Sequence, residues 1–302
     1  DEIRGEVSFD HKYVPDFVLM RADGSPLYTL AVAVDDVLMK VTHVLRGEDL
    51  LSSTPRQIQV YKAMGLKPDQ YPTFAHLPFV MGQDNAKLSK RNGEVSIAWY
   101  REQGFLPEAI CNYLALLGWS PGDDREDISM KELVQLFEVH DVHSSPARFD
   151  MKKLEAINGD KIRALSAEEF LERSLPFLTQ TNVISGSESE IQLVKAALPI
   201  IQERIVKLDE IPTMLKFLFV KQFEVESESK EKIKDDQSKQ VLKRALEVLT
   251  PVTSWNHENI ESALRSALID ELGLKPRIAF GAVRIAVTGS HISPPLFESM
   301  QL

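Results

Sequence analysis

From about residue 95 to the C-terminus the apolar residues keep helical spacing, and this restricts most of the chain to a succession of helices. Pro107 opens and Gly118 closes a segment in which Ile110, Tyr113, Leu114 and Leu117 are spaced to share one face. Ser129 with Glu132, and Ser166 with Glu169, are spaced as capping boxes that begin two further helices. A longer amphipathic stretch carries Ile191, Val194, Leu198, Ile201, Ile205 and Leu208, with Pro199 as its expected kink. Ile260, Ala263, Leu264, Ala267 and Leu268 line another helix, which Gly273 stops.

Before residue 95 the pattern is different. Residues 1–20 mix strand formers with Gly and Pro and read as one or two strands, while Leu27 to Val34 fits helix or strand equally. Val41 to Gly47 reads as a short buried strand. It is followed by a helix with Thr54 as N-cap, Pro55 at the first helical position, Gln57 completing a capping box and Gly65 at the exit. Strand, loop and helix in alternation indicate an α/β region, so the expected class is α/β plus all-α. Residues 224–239, dense in both charge signs, read as a solvated face or connection and as a subdomain boundary.

Composition excludes several alternatives. No apolar run approaches the ~20 residues of a membrane helix. A single cysteine, Cys111, forbids an internal disulfide framework or a multi-thiolate zinc site, and points to a reducing compartment, the cytoplasm. His11, His140, His143, His257 and His291 lack metal-ligand spacing, and "DDREDIS" at 123–129 reads as a loop entering a helix, so no metal site is expected. The chain opens on Asp1 without a signal or transit peptide, which suggests a start inside something longer or at a processed end.

Against a formal net charge of −10, "NAKLSKRNGE" at 85–94 gathers Lys87, Lys90 and Arg91 around Ser89, with Gly82 before and Gly93 after. Cations on a loop with small neighbours can cradle polyphosphate, because backbone N–H groups approach the same oxygens. Neither G-x-x-x-x-G-K-[ST] nor G-x-G-x-x-G occurs, and a solvated surface turn is the competing reading.

The order of segments around that loop resembles the bacterial-type glutamyl-tRNA synthetases, a family of class I aminoacyl-tRNA synthetases. "KLSKR" is similar to the family's lysine loop, and "GFLPEAICNYLALLGWS" to its next helix. "PLYTLAVAVDDVLMKVTHVLRGEDLLSSTPRQ" resembles the segment upstream; "SSPARFDMKKLEAINGDKIR" and "AVRIAVTGSHISPPLFES" resemble segments downstream. The resemblance implies roles for individual residues. Lys90 and Lys87 would be catalytic and bind ATP, with Ser89, Glu48, Asp49 and His76 on the nucleotide side. Arg46 and Tyr28 would bind the substrate glutamate. Arg204, Arg277 and Arg284 would contact tRNA. For Tyr28 the competing reading is a core aromatic, for Glu48 and Asp49 a solvated acidic turn, for His76 a histidine bonded within the fold, and for Arg204 a helix-surface charge. Val32 departs from relatives that carry an asparagine there.

What the resemblance implies overall is the C-terminal part of a glutamate–tRNA ligase: the second half of a Rossmann-type catalytic domain, a helical stem-contact junction and an all-α anticodon-binding region. Expected divisions are 1–22 (end of a connecting insertion), 23–66 (catalytic half), 67–160 (lysine loop and stem contact), and 161–232 with 233–302 (two anticodon-binding subdomains). Partners implied are glutamate, ATP with Mg²⁺, and glutamate tRNA, with no zinc, no membrane and a monomeric state. No H-x-G-H/N spacing occurs among the seven histidines, so this chain is expected to bind tRNA but to lack part of the catalytic apparatus. The alternatives are a tRNA-binding module without chemistry and a nucleotide-binding regulatory protein.

Overall fold

The computed structural model describes residues 1–82, 86–88, 96–220 and 224–302. In chain order the elements begin with α1 (Tyr28–Leu38), β1 (His43–Gly47), α2 (Thr54–Ala63), β2 (Thr73–Leu77) and β3 (Val80–Met81). Next come α3 (Ile97–Glu102), α4 (Pro107–Leu116), α5 (Met130–Leu136), β4 (Ala147–Arg148), α6 (Met151–Arg163), α7 (Ala167–Gln180), α8 (Glu188–Ala197), α9 (Pro199–Gln202) and α10 (Ile211–Leu215). The C-terminal set is α11 (Ser227–Glu231), α12 (Asp236–Leu249), α13 (His257–Arg265), α14 (Pro276–Thr288) and α15 (Leu296–Gln301). Two units result: residues 1–96 with 108–154, and residues 97–107 with 155–302.

In the first unit β1 and β2 are parallel neighbours joined through α2, the crossover that parallel strands require. Their register sets Val44 opposite Phe74 and Arg46 opposite His76, which places these four side chains on one face. The ambiguous segment after Leu27 is helix, α1; it packs on α2 around Ala33, Val60 and Tyr61. Across that contact the Tyr61 hydroxyl donates to Asp36 at 2.7 Å. β3 pairs with β4 in a second parallel pair.

Three expectations about this unit are corrected. Residues 1–20 form no ladder strand: Asp1 caps the N–H groups of Ile3 and Arg4 and Gly5 takes φ +69°, so the chain turns at its start, and Val18 and Leu19 stay exposed. β1 is not buried, since its residues alternate between exposed and half-covered. In α4 the buried residues are Ala109, Asn112 and Tyr113, while Leu114 faces solvent. The polar members explain that rotation: Asn112 accepts from Ile128 N–H at 3.0 Å and the Tyr113 hydroxyl accepts from Asp150 N–H at 2.6 Å.

The second unit is helical. Two of the three expected capping boxes exist, at Ser129 for α5 in the first unit and at Ser166 for α7 here, and Ser187 with Glu190 forms one at α8 that was not expected. The amphipathic stretch breaks at Leu198–Pro199 into α8 and α9, with Val194, Leu198, Ile201, Ile205 and Leu208 buried. A knot of backbone closes its base: Asn158 accepts from Leu106 N–H at 2.8 Å and donates to Val206 O at 2.6 Å, while Leu208 N–H donates to Gly104 O at 3.1 Å. The last helices bury Val241, Ile260, Leu264, Leu268 and Ala279 together. α13 runs into a π-helical turn, Ser266–Glu271, before Gly273 at φ +64°. Within the charged run 224–239, Ser229 is buried and Ile233 packs on that core.

Candidate functional site

Arg46 is the hub of the first unit's polar cluster. Its Nε donates to His76 Nε2 at 3.0 Å, and its Nη2 donates to Thr54 Oγ1 and Gln57 Oε1 at 2.8 Å each and to Leu50 O at 3.3 Å. The guanidinium also lies over the Phe74 ring, 5.7 Å from its centroid. Among the described residues Nη1 has only a long contact, 3.5 Å, to the hydroxyl of Tyr28, a residue 48% exposed at the start of α1. The Nε/Nη2 side of the fork is thus spent within the fold, and the Nη1 side opens beside Tyr28. Arginine's rigid fork suits a carboxylate, which a point charge would grip with less directional control.

The expected capping box of α2 is absent because its two members serve this hub. Ser53 occupies the N-cap position without a side-chain bond, while Thr54 and Gln57 are buried against Arg46. Gln57 Nε2 is buried with no partner among the described residues.

Several expected nucleotide ligands are placed otherwise. The His76 side chain has no exposed surface, and both ring nitrogens are engaged, Nε2 by Arg46 and Nδ1 with the Asp1 carboxylate at 2.5 Å, so no ring atom is left for ATP. The reading of His76 as bonded within the fold is the one the geometry favours. Glu48 pairs with Arg4 and accepts from Phe79 N–H at 2.9 Å, which makes it a tie between the end of β1 and the loop after β2. Asp49 and Lys87 do come together, Lys87 Nζ donating to Asp49 Oδ2 at 3.1 Å with both side chains half exposed and the ammonium 4.2 Å from the Phe79 ring centroid. That bond holds the Asp49 carboxyl below its usual range. Lys87 is anchored by a bridge to Met81. Ser89, Lys90 and Arg91 lie outside the described residues.

In the second unit Arg277 and Arg284 line one groove of about 740 Å³, with Lys232, Phe280 and His291. Arg277 is exposed near the N-terminus of α14. Arg284 is half-buried and spends Nη1 on Ser293 O, Ser293 Oγ and Pro294 O at 3.3, 3.1 and 2.7 Å. Burial, then the charge of Arg204, holds its guanidinium below its usual value. Arg204 is exposed just past α9. Among the described residues no group of three or more His, Cys, Asp or Glu could hold a metal ion, and no helix is long and apolar enough to cross a membrane.

Sequence reasoning missed Thr54, Gln57, Phe74 and Asp1 as partners of this cluster. A signal existed for two of them: Thr54, Gln57 and Tyr61 fall at i, i+3 and i+7, a polar stripe on the buried face of α2.

Comparison with known proteins agrees with this layout. Residues 1–156 match the family model of the catalytic domain of class I tRNA synthetases (E and Q), and residues 169–302 match an anticodon binding domain. Glutamate–tRNA ligases of Nocardioides sp. and Rhodococcus jostii are each 51% identical, with 100% of this chain covered and 63% and 62% of the relatives. The crystal structure of a glutamate tRNA ligase from Elizabethkingia meningosepticum in complex with its amino acid superposes with a TM-score of 0.79 at 29% identity, covering 100% of this chain and 62% of that one. The glutamate–tRNA synthetase of Elizabethkingia anophelis gives 0.77 at 28%, again covering 62% of that chain. The chain therefore spans about three-fifths of the length of these relatives. The catalytic-domain model matches more than half of this chain and the anticodon-binding model most of the remainder, and the chain belongs to the class I tRNA synthetases of the glutamyl and glutaminyl family.

Proposed function

We propose that this chain is the C-terminal part of an enzyme that joins glutamate to its tRNA through a glutamyl-adenylate made from ATP. One observation carries the reading: Arg46 is buttressed on its Nε/Nη2 side by His76, Thr54 and Gln57 while Nη1 opens beside the exposed Tyr28. A fixed cation held in this way selects an acidic side chain over its amide, because the amide's NH₂ cannot accept the guanidinium's hydrogen bond. Lys87, with Lys90 and Ser89 of the same loop, stabilises the charge that develops on the phosphoryl oxygens and departing pyrophosphate. Asp49, paired with Lys87, sits on the nucleotide side. Magnesium enters with ATP, and the protein works as a cytoplasmic monomer.

The second unit, including Arg204, Arg277 and Arg284, holds the anticodon end, where single-stranded bases are read by stacking and edge hydrogen bonds. The divisions 1–22, 23–66, 67–160, 161–232 and 233–302 belong to the same proposal. The 302 residues bind tRNA, and catalysis requires the full-length protein. The test is charging of glutamate tRNA with labelled glutamate by the full-length protein, beside retention of the same tRNA by this chain. Charging supports the proposal; tRNA retention without charging by the full-length protein leaves only a binding module and overturns it.

A further inference from the structure

Parallel pairing of β1 with β2 puts Arg46 directly opposite His76, and the two side chains meet on one face of the pair. Nε of an arginine is a donor only, so His76 Nε2, 3.0 Å away, accepts and carries no proton. The neutral ring keeps its proton on Nδ1, which donates to Asp1 Oδ2 at 2.5 Å. Asp1 is held in turn, its Oδ1 accepting from the backbone N–H groups of Ile3, Arg4 and His76 at 3.1, 3.0 and 3.2 Å. The Phe74 ring stacks beside the imidazole with centroids 6.3 Å apart, which limits rotation of the ring. Burial, with the charge of Arg46 after it, holds the imidazole at about 4, so the neutral form is the one present near neutrality.

We propose that His76 is a positioning residue for amino-acid selection: Asp1 sets its tautomer, the tautomer presents an acceptor to Arg46 Nε, and that bond turns Nη1 toward a substrate carboxylate beside Tyr28. This rests on the reading of Arg46 as the carboxylate-binding residue. Thr54, Gln57 and Leu50 all act on Nη2, at one corner of the fork. His76 fixes a second corner, and two fixed corners determine the orientation of a planar group where one does not. Without the acceptor at Nε a buried N–H would lack a partner, and the fork would turn to regain one. Misplacement of such a group by about an ångström is enough to reduce turnover substantially.

Two polar variants of the full-length enzyme separate positioning from general support. His76→Asn keeps a donor for Asp1 and withdraws the acceptor from Arg46; His76→Gln restores an acceptor near the position of Nε2. In ATP–pyrophosphate exchange with tRNA present, His76→Asn is expected to raise KM for glutamate about tenfold or more, as loss of a hydrogen bond to a charged group would, with KM for ATP within about twofold. His76→Gln is expected to recover most of that loss. Should His76→Asn not fold, His76→Phe keeps the ring volume without the acceptor and carries the same two expectations.

Equal changes in both KM values, or His76→Gln as impaired as the variant lacking the acceptor, would overturn the inference. Arg46→Gln, assayed in parallel, tests the underlying reading separately. An unchanged glutamate KM in Arg46→Gln would remove the carboxylate-binding role itself. A raised KM there with an unaffected His76→Asn would remove only the positioning role.

Discussion

Arg46 and His76 are register partners on neighbouring parallel strands, joined by a 3.0 Å bond in which the arginine donates. Arg46→Lys would replace a fork that serves four acceptors by a single ammonium, leaving some of Thr54, Gln57, His76 and Leu50 unsatisfied. The expected result in the full-length enzyme is a fall of about 10²-fold in kcat/KM for glutamate, with a loss of about 1–3 kcal/mol in stability. Exchange kinetics and urea unfolding measure the two effects.

The same pair predicts a pH dependence. Because the His76 ring titrates at about 4 in the fold against 6.5 when free, the unfolded chain binds a proton that the folded chain refuses. Stability from this group is full above about pH 6.5 and is lost as pH falls toward 4. Between pH 7.5 and 5 the loss is about 2 kcal/mol. Urea midpoints of this chain and of its His76→Phe variant should therefore converge as pH is lowered; parallel curves would show that the histidine is not the group responsible.

Lys87 and Asp49 form a half-exposed pair, and such pairs contribute about 0–1 kcal/mol to stability. Lys87→Ala should accordingly leave the melting temperature of the full-length enzyme nearly unchanged while lowering the rate of adenylate formation about 10²-fold, and Lys90→Ala should lower the same rate to a similar extent. Single-turnover adenylation and thermal unfolding on the same samples check both halves of this expectation.

Gly104 sits at φ +78°, and a Cβ placed there would come within 2.4 Å of Leu208 N. Gly104→Ala must strain the backbone and push apart a junction closed by Asn158, at a cost of about 3 kcal/mol. Thermal unfolding of this chain would read the change directly.

Arg204 and Arg277 are exposed, whereas Arg284 closes the turn at Ser293 and Pro294. Alanine at either of the first two should weaken tRNA retention and reduce its salt dependence by about one counterion each, without affecting folding. Arg284→Ala should weaken retention and lower the melting temperature as well.

Much of this architecture was legible in the sequence because it depends on local rules. Ser129–Glu132 and Ser166–Glu169 predict two helix starts, Pro199 predicts a break, and Gly273 a stop, each through backbone chemistry within four residues. What escaped is set by tertiary partners. Thr54 and Gln57 have the spacing of a cap, yet a cation from the neighbouring strand competes for their oxygens and wins, since its bonds are charge-assisted. Leu114 has the spacing of a core residue, but Asn112 and Tyr113 are buried, accept from the backbone N–H groups of Ile128 and Asp150, and rotate the helix toward themselves. Glu48 and His76 lie on the segments that resemble the family's nucleotide site; only the contacts with Arg4, Phe79 and Asp1, remote in sequence, turn them into parts of the frame.

The most direct measurement is ATP–pyrophosphate exchange by the full-length enzyme, with tRNA present, comparing glutamate with glutamine. A carboxylate-selecting Arg46 predicts kcat/KM for glutamate higher by about 10²-fold or more. Comparable exchange with glutamine, or none with glutamate, would contradict the account.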